Sequence, residues 1–326
     1  MKPTKYKLAL TSLLVGLLLV SAFATGFSQE TDYPERPITL IEPWPAGGWG
    51  FTLAQEIAPR LEEKLGVRVN VQLKTGGTST RAHRFVANAE PDGYTLLYAW
   101  VAGSVMVPLQ KDVEYDMFED YDFLAYGYPE NPVVAVTRSE KPYDTLAEFI
   151  EYANENPDKN FTYAGGPRLS IHSLDGYSVF RDMDNVTPVY YGSSGQASAA
   201  MFAGHVDIAM DTFSAVRKFN NVKALAVFSD SRVDAFPDVP TAMEQGVEAA
   251  QVGAWGSFIA PAGLPDAVHE KLVNTLEEIL TDEEFQDTVR EKYNLYINYK
   301  GPEEFEEKVR ADREAMRPII ETLKEE

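Results

Sequence analysis

Short β-branched and aromatic runs alternate with amphipathic helical patterns along most of the chain. This rhythm constrains the fold more than any other feature of the sequence. Ile38–Glu42 reads as a buried strand, Val67, Val69, Val71 and Leu73 alternate as a second, and Tyr94–Ala99 forms a third. Between them, Leu53, Ile57, Leu61 and Leu65 mark one helix face ended by Gly66, with Pro59 expected to bend or break it. Ala82, Phe85, Val86 and Ala89 mark the next helix. The rhythm resumes after Pro132 with strands at Val133–Thr137, Phe161–Ala164, Val186–Tyr191, Val206–Met210 and Lys223–Phe228. Thr145-x-x-Glu148 and Thr281-x-x-Glu284 read as capping boxes, and Phe305, Val309, Met316, Ile319 and Leu323 supply the apolar face of a C-terminal helix. Strand alternating with helix implies α/β architecture and mainly parallel sheets. The economical arrangement is two successive α/β units with a cleft between them.

The N-terminus reads as a targeting segment. Lys2, Lys5 and Lys7 precede an apolar run from Leu8 to Val20, which is shorter than the ~20 residues of a spanning helix. Ala22 and Ala24 have the spacing of a cleavage site. Residues 1–24 are therefore expected to be a signal peptide cut after Ala24, with Ser28 the next site and a retained anchor the alternative. The chain has no cysteine. Disulfides and lipid attachment at an N-terminal cysteine are both excluded, so a cleaved product would be free, as a periplasm allows.

The formal charge of −21 excludes nucleic acid as a partner, because that affinity rests on neutralising phosphates. It suits either attraction of a cation or basic partner, or a solvated acidic surface adapted to high salt.

Enzymatic chemistry finds little support. The sequence has no G-x-S-x-G elbow, no Walker loop, no H-E-x-x-H and no cysteine nucleophile. His83, His172, His205 and His269 are not spaced as metal ligands, so neither metal nor cofactor is expected. His83 and His269 fall in helical patterns at surface or boundary positions, and His205 in a turn. His172 alone lies in a loop rich in glycine and hydroxyls.

Three glycine-rich junctions carry the binding signal. Pro43-Trp44-Pro45-Ala46-Gly47-Gly48-Trp49-Gly50, Gly76-Gly77-Thr78 and Ser193-Ser194-Gly195 each join a strand to a helix. There, backbone N–H groups and the positive helix end favour an anion. Each alone is compatible with an ordinary turn; three at the same end of parallel strands point to one site.

Together with these loops, Tyr33-Pro34-x-Arg36-Pro37-Ile38, Pro91-Asp92-Gly93-Tyr94-Thr95-Leu96, Ala224-Leu225-Ala226-Val227, Phe236-Pro237-Asp238-Val239-Pro240-Thr241 and Ala260-Pro261-Ala262-Gly263 complete a pattern. In this order they resemble the substrate-binding proteins of tripartite tricarboxylate transporters, the Bug receptors. The resemblance implies a type II periplasmic-binding-protein fold, two α/β lobes around a ligand cleft. It places lobe 1 at residues 33–132 plus 252–326 and lobe 2 at 133–251. It implies a monomeric periplasmic receptor that holds a carboxylate and delivers it to membrane permease subunits. Carried over by position, the first clamp is Ala46, Gly47, Gly48 and Trp49, with Trp44 beside it. Tyr191-Gly192-Ser193-Ser194 stands for the family's Tyr-Lys-Gly-Ser, followed by Gly195. Ser170-Ile171-His172 matches the Ser-rich loop, with Arg168 the nearby cation, and Asp211 with Thr212 matches the acidic strand end.

Two departures stand out. Trp49-Gly50-Phe51 replaces the usual Gly-Thr-Asp, and Trp100 replaces a small hydroxyl residue after the third strand. These point either to a ligand with an apolar body or a methylated cation against a ring face, or simply to a smaller pocket. The competing functions are a ligand sensor for a membrane kinase, distinguished by the absence of a neighbouring permease gene, and a carboxylic-acid enzyme, for which only His172 and Asp211 are candidates.

Overall fold

The computed structural model describes residues 32–46, 49–212, 220–229, 231–233, 237–250, 252–293 and 295–325. Among the described residues, ten strands form two five-stranded sheets. The first contains β1 (Ile38–Glu42), β2 (Val69–Leu73), β3 (Thr95–Trp100), β4 (Tyr121–Asn131) and β10 (Ala254–Pro261), in the order β2-β1-β3-β10-β4. The second contains β5 (Val133–Arg138), β6 (Phe161–Gly165), β7 (Val186–Tyr190), β8 (Ile208–Thr212) and β9 (Val222–Phe228), in the order β7-β6-β8-β5-β9. Residues Pro34–Glu326 form one compact unit that carries both sheets.

The sheets are mixed rather than mainly parallel. β1, β2 and β3 run parallel, as do β6, β7 and β8, but β10 is antiparallel to β3 and β4, and β5 to β8 and β9. The antiparallel pairings come from strands that enter one sheet from the other. β4 passes directly into β5 through Pro132, and the return runs through Val252 and Gly253 into β10. The two passages lie side by side: a Cβ at Gly253, whose φ is +64°, would stand 3.7 Å from Pro132 Cα.

The helices are α1 (Trp49–Leu65), α2 (Thr80–Ala87), α3 (Val107–Gln110), α4 (Leu146–Glu155), α5 (Ile171–Phe180), α6 (Ser194–Phe202), α7 (Asp266–Leu280), α8 (Glu283–Tyr293) and α9 (Pro302–Glu325). A π-helical turn, Ala102–Met106, precedes α3. Helix α1 continues through Pro59 instead of breaking. Pro59 and Gln55 are both exposed, so water can satisfy the carbonyl that the proline leaves without a donor. Thr145 and Glu148 form the expected reciprocal box at α4. Thr281 does not cap α8: its hydroxyl donates to Glu277 O, and Asp282 accepts from Phe285 N at 2.8 Å instead.

The main core runs from Ile41, Leu97 and Val105 to Tyr163, Phe180 and Met210, with Trp255 and the α9 residues Phe305, Val309 and Met316 between. A second cluster, including Val134, Ala164, Met201 and Val227, fills the other face of the second sheet.

Candidate functional site

The strands deliver their loops to one cavity of about 670 Å³, within the range of small-ligand sites. One wall comes from the first sheet. Trp44 and Pro45 follow β1, Gly50 opens α1, Thr78 precedes α2, and Trp100 ends β3. The opposite wall is the β6–α5 loop and helix start: Pro167, Leu169, Ser170, Ile171 and His172. Gln110 spans the two, donating from Nε2 to Leu169 O at 3.2 Å. Among the described residues, none that lines the cavity is Lys, Arg, Asp or Glu. A wider groove of about 870 Å³, between α4, α5, residues 245–250 and α9, is polar, open and away from the strand ends that build the cavity.

Helix starts supply the donors of the second wall. Ser170 caps α5, accepting from Ser173 N. Ser193 caps α6, accepting from Gln196 N at 3.3 Å. The two starts meet at Gly166, where a Cβ would stand 3.1 Å from Ser170 Oγ and 3.2 Å from Ser194 N. Backbone N–H groups and hydroxyls therefore converge beside the cavity.

Behind His172 sits Asp211, only 1% exposed. Its carboxylate accepts from Ser198 Oγ at 2.6 Å and Thr212 N at 2.8 Å, and lies 3.9 Å from His172 Nε2. Burial lowers the His172 pKa, and Asp211 opposes that shift without reversing it. The imidazole is thus neutral at neutral pH, and its Nε2 has no hydrogen-bond partner.

The first wall is aromatic. The Trp100 ring centroid is 5.0 Å from Tyr98, which stacks on Phe258 at 5.0 Å. Beneath lies a residue that the sequence pattern presents only as the end of a strand. Glu42 is fully buried, and its Oε1 accepts from Trp44 N at 3.0 Å. Burial raises its pKa to about 8, against the Trp44 N–H and the nearby Trp100 indole N–H, which favour its charged form. The indole is close but not aligned: neither Glu42 Oε2 nor Trp100 Nε1 has a full hydrogen-bond partner.

Of the residues proposed from sequence, Trp44, Trp100, Ser170 and His172 line the cavity. Ala46 is an exposed turn residue beside it, and Arg168 lies between the lining residues Pro167 and Leu169. Gly76 and Gly77 adopt positive φ of +125° and +61° and shape the turn that presents Thr78. Ser193, Ser194 and Gly195 form the adjacent α6 start, while Asp211 and Thr212 stand behind His172. Gly47, Gly48 and the Trp49 side chain lie outside the described residues. Glu42, Gln110 and Gly166 carry no sequence signal, because a strand end, an isolated glutamine and a single glycine after a strand reveal nothing until the loops meet. His83 is a correction: far from the surface, it is fully buried, with Nε2 3.2 Å from Ser104 Oγ and its ring stacked on Tyr115. The small α2 and the Gly103 backbone close over it.

The family model for the tripartite tricarboxylate transporter family receptor, TctC, matches residues 53–324. The chain belongs to this receptor family. Within it, a UPF0065 protein of Bordetella pertussis is 34% identical over 270 residues, covering 80% of this chain and 82% of that one. A ligand-free TctC solute-binding protein from Polaromonas superposes with a TM-score of 0.80 at 22% identity, covering 89% of this chain and 99% of that one. MatC of Rhodopseudomonas palustris, solved with bound malate, gives 0.65 at 25% identity, covering 88% of this chain and 100% of that one. This TctC-family receptor thus has the two-lobed α/β fold of periplasmic binding proteins, the type II arrangement expected from its sequence.

Proposed function

We propose that this receptor captures a small organic acid outside the cytoplasm and hands it to the permease subunits of a tripartite tricarboxylate-type transporter, without chemically changing it. The observation that carries the reading is the convergence of the α5 and α6 starts at Gly166, beside a cavity lined from both sheets. A carboxylate there accepts from Ser170 and the first N–H groups of α6 while the helix dipoles oppose its charge. The malate bound by the related MatC supports this ligand class. Residues 33–132 with 252–326 form one lobe and 133–251 the other. They close by rotation about the paired passages at Pro132 and Gly253, and the chain acts as a monomer in the periplasm after loss of residues 1–24.

A melting screen of purified protein against organic acids tests the reading. An acid present at about 100 times its Kd adds ~2.7 kcal/mol of stability, a readily resolved shift. Absence of stabilisation by every acid would remove the receptor reading.

A further inference from the structure

The Glu42 carboxyl sits directly behind the cavity wall. Gly50 lines the cavity, and a Cβ placed there would stand 2.4 Å from Glu42 Oε1 and 2.9 Å from Trp44 Cδ1. The carboxyl is itself fully buried, packed against Gly50 and the edge of the Trp44 ring, which form the wall in front of it. Trp44 and Trp100 line the same cavity, and Glu42 Oε2 is buried with only the unaligned Trp100 indole N–H beside it. A carboxyl behind two indoles is the donor set that recognises an organic cation: the rings offer electron-rich faces and the carboxylate the counter-charge. The first turn of α1, which would otherwise receive an anion, already has the protein's own carboxyl against it.

We propose that the first-sheet wall is a cation subsite set by Glu42, and that the ligand is a zwitterion: a carboxylate at one end and a quaternary or protonated amine at the other. This rests on the receptor reading, with the carboxylate end at Ser170 and the α6 start. A dicarboxylate would instead put its second charge against Glu42.

Binding is coupled to a proton. Glu42 is raised to about 8 in the free protein, and an adjacent cation favours the ionised form, so binding releases the proton. Affinity for a cationic probe then rises with pH up to about 8 and levels off above it. The groups around Glu42 are these. Tyr98 on β3 is held protonated well above it by burial. Beyond the end of β2, the Lys74 amide donates to Glu42 O while its ammonium lies 3.2 Å from the centre of the Phe85 ring. From α1 the uncharged Gly50 faces it, and across the cavity His172 is kept neutral by burial.

The experiment is calorimetry with a homologous series of ω-trimethylammonio-carboxylates and length-matched α,ω-dicarboxylates, on wild type and Glu42→Gln. Glutamine retains an acceptor for Trp44 N–H, so the loop keeps its anchor. The expected result is a preference of about tenfold or more for the best quaternary probe over its matched dicarboxylate. That preference should grow several-fold between about pH 6.5 and about pH 8, and Glu42→Gln should remove both preference and pH dependence. Equal or tighter dicarboxylate binding overturns the cation subsite and leaves the receptor standing. So does a preference that survives in Glu42→Gln. If no member of either series and no monocarboxylate binds, the receptor reading falls and the subsite with it. Should Glu42→Gln fail to fold, the wild-type pH profile decides, since a flat profile for the quaternary probe also overturns the proposal.

Discussion

At Gly166, one missing methyl group lets two helix starts share a site. A Cβ 3.1 Å from Ser170 Oγ and 3.2 Å from Ser194 N is too tight to fit without moving one of them by a few tenths of an ångström. Gly166→Ala should therefore weaken binding of an acid found in the melting screen by about 1–2 kcal/mol, measured by calorimetry. Unchanged affinity would detach these helix starts from the ligand. His83 makes a second residue-scale case. Burial lowers its pKa from 6.5 to about 4, although the Ser79 carbonyl favours the charged form. The unfolded chain thus takes up a proton that the folded chain refuses. Stability at this site is intact above 6.5 and drains as pH falls towards 4, by up to about 3 kcal/mol. Urea titrations across that range should show the slope reduced in His83→Gln, while an unchanged slope would assign the acid sensitivity elsewhere. Neither residue declared its role in sequence: Gly166 is one of many glycines, and the helical spacing of His83 does not say which face the core will take.

The elements themselves were more legible. β1, β3, β5, β6, β7 and β9 lie within a residue or two of the stretches marked by β-branched and aromatic runs, because buried strands need little beyond such a run and a flanking turn. β8 begins two residues beyond its expected start. β4 and β10 were not legible. Gly127 and Pro129 interrupt the first, Gly256 and Ser257 dilute the second, and each pairs antiparallel with a strand distant in sequence. Their pairing depends on the passage between sheets, which no local pattern encodes. At that passage α5 packs on α9. Trp255 Nε1 donates to Asp312 Oδ2 at 2.8 Å, and Lys308 pairs with Asp312 Oδ1 at 2.6 Å. Asp175 of α5 lies nearby, fully buried, without an aligned donor to either carboxyl oxygen. Burial raises its pKa to about 8 despite the Val252 N–H and Lys308. The folded form therefore holds a proton that the unfolded chain releases near 3.8, and stability contributed below 3.8 is lost as pH rises to 8. Asp175→Asn should gain on wild type progressively across that window, by up to about 5 kcal/mol at its upper end. Wild type and variant differing by the same amount at about pH 4 and about pH 8 in chemical denaturation would refute the assignment.

For the whole molecule, a net charge of −21 makes self-repulsion a general term. Salt shortens the screening length from ~30 Å at 0.01 M to ~3 Å at 1 M. The melting temperature should rise over that range in a simple monovalent salt, and a flat or falling trend would show that acidic groups are already compensated by their partners. The sheet order has a further consequence, for the time course of assembly. β10 lies between β3 and β4, yet it follows the entire second sheet in sequence. The second sheet, β5 to β9, is contiguous and can close on local contacts, whereas the first waits for the interior strand β10 to arrive between β3 and β4. The second sheet, whose strands are consecutive in sequence, should therefore reach its native pairing first. Pulsed hydrogen exchange during refolding should find β6 and β8 protected before β3 and β4, so that the half begun first is the half finished last.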